Sequence, residues 1–231
     1  MKNTTLLRKV FKLGKLIVIE GLDGTGKSTQ LEVLYNRLIS EGADCRSVSF
    51  PNYNSPACEP VKMYLSGAFG TDANAVNPYA ASSFYAVDRF ASFKEDWGEY
   101  YNNGGTVICG RYTTSNAIHQ CSKIDENMWD SFLNWLYDYE YNKLGIPKPD
   151  LVIFLNMSTE VSDALLSKRY GGDDSKKDIH ENNTAYLKKC RKAAQYTAKF
   201  SGWKTVECVN ALGLRTIEDI SNEIYALVKE L

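Results

Sequence analysis

Residues 16–41 read LIVIEGLDGTGKSTQLEVLYNRLISE, and this stretch decides the fold. It opens with a short apolar run, 16–20, of the kind that forms a strand buried on both faces. It closes with residues 29–41, whose apolar positions recur at the three- and four-residue spacing of a helix. A glycine-rich loop, 21–28, lies between them. A strand, such a loop and a helix in this order predict an α/β domain.

The loop matches the pattern G-x-x-x-x-G-K-[ST] in the strand-to-helix setting that the pattern requires. Its glycines let backbone N–H groups turn inward around an anion, and the helix dipole adds to the attraction. The residues expected to bind ATP are Gly21, Leu22, Asp23, Gly24, Thr25, Gly26, Lys27, Ser28 and Thr29. Lys27 is expected to reach the β- and γ-phosphates as a catalytic cation, and the Ser28 hydroxyl to ligate Mg²⁺.

The rest of the chain alternates strand and helix patterns. Short apolar runs predict five strands at 16–20, 45–50, 106–109, 151–155 and 205–209. Helical spacing predicts helices at 29–41, 78–101, 125–144 and 216–231. We therefore predict a doubly wound, five-stranded parallel sheet, buried on both faces and flanked by helices.

Two segments stand apart from this alternation. Residues 1–14 mix basic and apolar side chains and are predicted to be an N-terminal extension to a single domain at 15–231. Residues 168–183, KRYGGDDSKKDIHENN, bury little and are predicted to be a mobile lid.

Composition excludes several functions. A formal net charge of −1 offers no basic face for a polynucleotide. No apolar run is long enough for a membrane span. The six cysteines form no C-x-x-C pair, and with two histidines they give no zinc spacing, so we expect reduced thiols and a cytoplasmic protein.

Four groups of motifs together resemble the thymidylate kinase family over residues 15–231. They are 20–29 (EGLDGTGKST), 50–53 (FPNY), 85–89 (YAVDR), and the pair 111–112 (RY) with 115–117 (SNA). The resemblance implies a P-loop nucleoside monophosphate kinase that transfers a phosphoryl group from ATP to dTMP with Mg²⁺, in the biosynthesis of dTDP. It also implies a homodimer.

The resemblance implies which residues contact the thymine base of dTMP. Tyr85 would stack on thymine, and Arg89, four residues later on the same helix face, would donate to thymine O4. Asn116 would bond the base edge near N3, and Ser115 belongs to the same substrate-binding group. The residues alone are equally consistent with a core Tyr85 and with a surface Arg89 paired to Asp88 or Glu95.

The resemblance also implies which residues contact the phosphate and the sugar of dTMP. Arg111 and Tyr53 would hold the dTMP phosphate, with Arg111 also acting in catalysis, and Phe50 would line the pocket. Asp23 would meet the sugar 3′-hydroxyl region or a Mg²⁺-bound water. His119 stands where the family usually has an aromatic residue near the sugar C2′.

The lid is expected to supply a transition-state cation. Family members with glycine after the P-loop acid, as at Gly24, typically place that cation in the lid. Arg169 is the first candidate, with Lys176 and Lys177 nearby.

One departure from the family pattern leaves alternatives open. The family reads Asp-Arg-Tyr where this chain has Gly110-Arg111-Tyr112. The missing acid would help to position Mg²⁺ and orient the arginine. The alternatives are a kinase of another nucleotide or nucleoside, and a nucleotide-binding protein with weak turnover.

Overall fold

The computed structural model describes residues 13–72, 74–169 and 184–231. The predicted extension lies outside these ranges except for its last two residues, and the predicted lid lies outside them from residue 170 onward.

One parallel sheet organises the described chain. Its strands are β1 (Lys15–Gly21), β2 (Cys45–Ser49), β3 (Thr106–Gly110), β4 (Leu151–Asn156) and β5 (Lys204–Glu207). They lie in the order β2-β3-β1-β4-β5, and every neighbouring pair is parallel. The predicted five-stranded doubly wound α/β sheet is confirmed. A small antiparallel ladder joins β6 (Val209–Asn210) to β7 (Gly213–Leu214).

Helices cover both faces of the sheet. They are α1 (Lys27–Ser40), α2 (Glu59–Leu65), α3 (Pro78–Ser92), α4 (Gly98–Asn102), α5 (Thr113–Cys121), α6 (Trp129–Tyr137), α7 (Thr159–Arg169), α8 (Thr184–Phe200) and α9 (Ile217–Lys229). Side chains of α1 and α9 form one core cluster with β1, β3 and β4, and the aromatic residues after α3 form another on the opposite face.

The prediction that all five strands are buried on both faces is wrong for the two edge strands. Strands β1, β3 and β4 are largely buried, whereas most residues of β2 and β5 are partly or fully exposed. Each edge strand has a single neighbour in the sheet, so less of its surface is covered.

Two predicted long helices contain widened turns. Residues Phe93–Trp97 and Asp138–Lys143 are π-helical, so the helices predicted at 78–101 and 125–144 are each divided. The N–H of Gly98 donates to Phe93 O, and a Cβ at Gly98 would lie 2.2 Å from that oxygen. Glycine is therefore the residue that this close approach admits. A π turn inserts one residue and re-aims the side chains around it, often at a functional site.

The carboxyl ends of β1, β2 and β3 lie side by side, which brings three sequence motifs together. Gly21, Ser49 and Gly110 end these strands, and the glycine-rich loop, Phe50 and Arg111 follow directly. Ligands of open α/β sheets bind at this edge. Within the described ranges, every helix is too short or too polar to cross a lipid bilayer.

The helix α3 carries Tyr85 and Arg89, and its start is capped by Asn77. The Asn77 side chain accepts hydrogen bonds from the N–H groups of Tyr79 and Ala80 at 3.0 and 2.9 Å. We expect Asn77→Ala to lower the free energy of unfolding by about 1 kcal/mol, because two N–H groups lose their acceptor. Urea denaturation measures this loss. Asn77→Asp, which keeps an acceptor oxygen, is the control, and an equal loss in both variants would contradict the capping role.

Candidate active site

The glycine-rich loop presents an uncapped helix start. Gly24 and Gly26 adopt positive φ angles of 77° and 82°, and Gly26 is the N-cap of α1. No side chain of the described residues caps this helix, and its first turn contains no acidic residue. Its first N–H groups and its positive dipole end therefore suit an anion.

The loop lysine is held within the loop itself. Lys27 Nζ donates to Leu22 O at 2.5 Å and lies 3.8 Å from Asp23 Oδ1. Its side chain is largely buried, so the loop holds this cation beside the uncapped helix start. Ser28 is exposed one residue later.

Arg111 and Asp23 form an ion pair at the mouth of the site. Arg111 follows β3 in the left-handed backbone region, with φ 63°, and its Nη2 donates to Asp23 Oδ1. Burial acts to raise the pKa of Asp23, but the charges of Arg111 and Lys27 outweigh it and hold that pKa well below its usual range. Burial likewise acts to lower the pKa of Arg111, but Asp23 and Glu20 keep it raised.

This pair bears on the departure at Gly110. Asp23 gives Arg111 a carboxylate partner, although position 110 supplies none. Gly110 itself lies in regular β3 pairing, beside Ile19 and Ser49.

A cleft of about 240 Å³ lies beside the loop. All the residues predicted to bind the second substrate line it: Asp23, Phe50, Tyr53, Tyr85, Arg89, Arg111, Ser115, Asn116 and His119. The sequence reasoning missed the others: Pro51, Leu65, Tyr112, Gln120 and Tyr186. Thus the segments after β1, β2 and β3 and the helices α2, α3, α5 and α8, far apart in the chain, contribute to one pocket.

The deepest cation of the cleft is Arg89. It is 2% exposed, and its Nε and Nη2 donate to Glu140 at 2.7 and 2.5 Å. The surface pairing with Asp88 or Glu95 is therefore wrong. Burial acts to lower the pKa of Arg89, but the charge of Glu140 outweighs it, so that pKa is raised.

Two predicted cleft residues on α5 have buried partners. Asn116 Nδ2 donates to Ser82 O at 3.1 Å and to Glu140 Oε1 at 3.2 Å. Ser115 Oγ donates to Glu20 Oε2 at 2.8 Å, so this serine also supports the end of β1.

His119 belongs to a cluster with α8. Its Nδ1 lies 3.5 Å from Tyr186 Oη and 3.7 Å from Cys190 Sγ, and its ring stacks on Tyr186. Tyr186 gave no sequence signal because it lies 67 residues away from His119.

Helical spacing offered a signal for one missed residue. Gln120 follows Asn116 by four positions, which places both on one face of α5. Its side chain is 2% exposed, and its Oε1 has no hydrogen-bond partner among the described residues. No local sequence pattern predicted a role for Glu140.

The side chain of Arg169, the predicted lid cation, lies outside the described residues, although α7 ends at this position.

A parallel sheet with a glycine-rich phosphate loop after β1, and a cleft beside that loop, defines the class of P-loop nucleotide kinases. The family model described as "Thymidylate kinase" matches residues 19–224. The chain belongs to the thymidylate kinase family, whose members are nucleoside monophosphate kinases.

Individual relatives agree with this assignment. The chain is 28% identical to a thymidylate kinase of Dictyostelium discoideum over 95% of this chain and 87% of that protein. It is 27% identical to a thymidylate kinase of Schizosaccharomyces pombe, over 94% and 93% of the two chains. The solved structure of a thymidylate kinase from Candida albicans has a TM-score of 0.69 at 22% identity and covers 94% of this chain and 92% of its own, which supports the fold.

The buried ion pair generates a stability prediction. We expect Arg89→Met to lower the free energy of unfolding by about 3–5 kcal/mol, because it leaves the Glu140 carboxylate buried without its cation. Urea denaturation at neutral pH measures the change. The matched control is Arg46→Met, which breaks an exposed pair with Asp96 and should cost less than about 1 kcal/mol. Similar losses in the two variants would contradict the assigned strength of the buried pair.

Proposed function

We propose that this chain transfers the γ-phosphoryl group of ATP to dTMP, giving ADP and dTDP. The observation that carries the proposal is the single cleft lined by every residue expected to bind dTMP, next to the phosphate loop. Family membership supports the same reaction.

ATP is proposed to bind with its phosphates against residues 21–29. The N–H groups at the start of α1 would surround the phosphate oxygens. Lys27 would break its hydrogen bond to Leu22 O and bind the β- and γ-phosphates. Its hydrogen bonds to charged phosphate oxygens would be stronger than the one to a neutral carbonyl.

The residues at the loop fit Mg²⁺. Ser28 offers an exposed hydroxyl and Asp23 a carboxylate with a lowered pKa, and both are the oxygen ligands that Mg²⁺ prefers. Ser28 would hold the ion directly and Asp23 would act through water. A bound Mg²⁺ would neutralise charge on the transferring phosphoryl group.

The acceptor is proposed to lie along the cleft. Arg111 and Tyr53 would hold its phosphate, while Asp23 and His119 would face the sugar. In the same pose the base would stack on Tyr85 against Phe50, and Arg89 and Asn116 would bond its edge.

The chemistry then needs positioning more than proton transfer. An oxygen of the dTMP phosphate is already anionic near neutral pH, so it can attack the γ-phosphorus without a general base. A new O–P bond forms as the bond between the γ-phosphorus and the β,γ-bridging oxygen breaks, and ADP leaves. Lys27 and Arg111 would stabilise the charge of this transition state. Arg169 is proposed to add a third cation from the lid.

The proposal extends to a homodimer in the cytoplasm. Supporting a homodimer, Tyr79 and Val87 on α3 are 40% and 46% exposed, and the Tyr79 ring packs on Trp135 of α6 with centroids 4.5 Å apart. In the proposed homodimer these side chains would contribute apolar contact area.

A panel of acceptors tests the reaction. With ATP and Mg²⁺, we expect dTMP to yield dTDP with the highest kcat/KM, compared with dUMP, dCMP and thymidine. Direct chromatography of the products distinguishes dTDP formation from ATP hydrolysis. ADP without dTDP, or a preference for thymidine, would contradict the proposal.

Lys27→Ala should reduce kcat by at least about 100-fold, because a cation that stabilises the transition state is lost. Steady-state kinetics and thermal unfolding measure activity and folding together. Lys192→Ala, on the exposed face of α8 beside Glu126, is the control and should keep full activity. A folded Lys27→Ala variant with normal kcat would reject the role of the loop.

Gly110→Asp should lower the Mg²⁺ concentration needed for half-maximal rate, relative to Gly110→Ala. A Cβ at position 110 would lie 3.0 Å from Leu31 Cδ2 and 3.3 Å from Ser49 Oγ. Leu31 follows Ser28 by three positions on α1, so a carboxylate there would approach the proposed Mg²⁺ ligand. Magnesium titrations of both variants measure the effect. If the two variants fold and depend equally on Mg²⁺, the residue at position 110 has no effect on metal binding.

A further inference from the structure

Glu140 is the centre of a buried polar network behind the cleft. It lies in the π-helical turn Asp138–Lys143, has no exposed surface, and does not line the cleft itself. Among the described residues it accepts four hydrogen bonds: two from Arg89, one from Thr113 Oγ1 at 2.7 Å, and one from Asn116 Nδ2. Two of these three donor residues line the cleft.

The network decides which atoms Arg89 offers to the cleft. Its Nε and Nη2 form a bidentate contact with the two carboxylate oxygens of Glu140. The guanidinium is planar, so this contact fixes the orientation of the whole group. One Nη1 N–H donates to Tyr112 O at 3.4 Å, so the second N–H of Nη1 and the second N–H of Nη2 are the donors that remain for a ligand.

The same network decides the orientation of the Asn116 amide. Both partners of its side-chain nitrogen, Ser82 O and Glu140 Oε1, can only accept hydrogen bonds. The nitrogen must therefore face them, and the oxygen Oδ1 is the atom left for the cleft.

We propose that Glu140 is a positioning residue that sets the order of donor and acceptor presented to the base. Arg89 then offers a donor and Asn116 an acceptor. Thymine and uracil offer the complement, an O4 acceptor beside an N3–H donor, whereas cytosine offers an amino donor beside an N3 acceptor. The inference rests on the proposed binding of dTMP in this cleft.

The acceptor-only character of the carboxylate is essential to this role. A glutamine at position 140 has almost the same shape but carries one donor group. That donor group faces one N–H donor of Arg89 and repels it, or it lets the Asn116 amide rotate by half a turn. In either case the donor of Arg89 and the acceptor of Asn116 are no longer held in fixed positions at the cleft.

The test is Glu140→Gln in the full chain, with kcat/KM measured for dTMP, dUMP and dCMP. We expect the dTMP-to-dCMP ratio to fall at least about tenfold, since charge-assisted bonds that align the base are weakened. The dTMP-to-dUMP ratio should stay within about twofold of wild type, because both bases present the same edge. An unchanged dTMP-to-dCMP ratio in the folded variant would overturn the inference.

Thr113→Val is the matched structural control. It removes a donor from the same carboxylate but leaves Arg89 and Asn116 with their partners. We expect a lower Tm with the dTMP-to-dCMP ratio preserved. A loss of selectivity equal to that of Glu140→Gln would show that any damage to the network has this effect, and would also overturn the inference.

Glu140→Asp keeps the experiment informative if the glutamine variant does not fold. The shorter carboxylate still only accepts, so the ratio should be preserved while KM for dTMP rises. A collapse of the ratio in this variant would reject the mechanism. Wild-type protein that forms no dTDP would instead reject the proposed function, which separates the two failures.

Discussion

The bidentate ion pair between Arg89 and Glu140 connects the helical segments that form the wall of the cleft. It joins α3 to the π turn after α6, and Thr113 and Asn116 bring α5 to the same carboxylate. Removing both charges from water is costly, and that cost is offset only when the geometry is good and the remaining polar atoms are bonded. The multiple hydrogen bonds on Glu140 meet this condition.

A second set of carboxylates performs a related task at the phosphate loop. Asp23 holds Arg111 and lies near Lys27, while buried Glu20 accepts hydrogen bonds from Thr114, Ser115 and the N–H of Gly21. A loop that binds phosphates concentrates cations and N–H donors that repel one another. These acids balance that positive charge and hold the cations in place, while the uncapped start of α1 still faces the ligand site.

Gly110 has no side chain that could pair with the arginine after it. Arg111 obtains its partner from the phosphate loop, across the sheet edge. Because Arg111 adopts a left-handed backbone conformation, which costs energy for a residue with a side chain, its ion pair to Asp23 helps to hold a strained turn at the site.

The sequence by itself determined the central strands, the phosphate loop and the helix after it, because these depend on local apolar runs, glycine freedom and short-range spacing. Through the resemblance of its motifs to a known family, it also predicted a set of residues that the structure brings to one cleft. Only the tertiary structure decided that Arg89 is buried against Glu140, that Arg111 pairs with Asp23, that edge strands are exposed, and that long helices contain π turns. These features depend on contacts between residues far apart in the chain: Glu140 lies 51 positions from Arg89, and no local pattern encodes which buried acid meets which buried base.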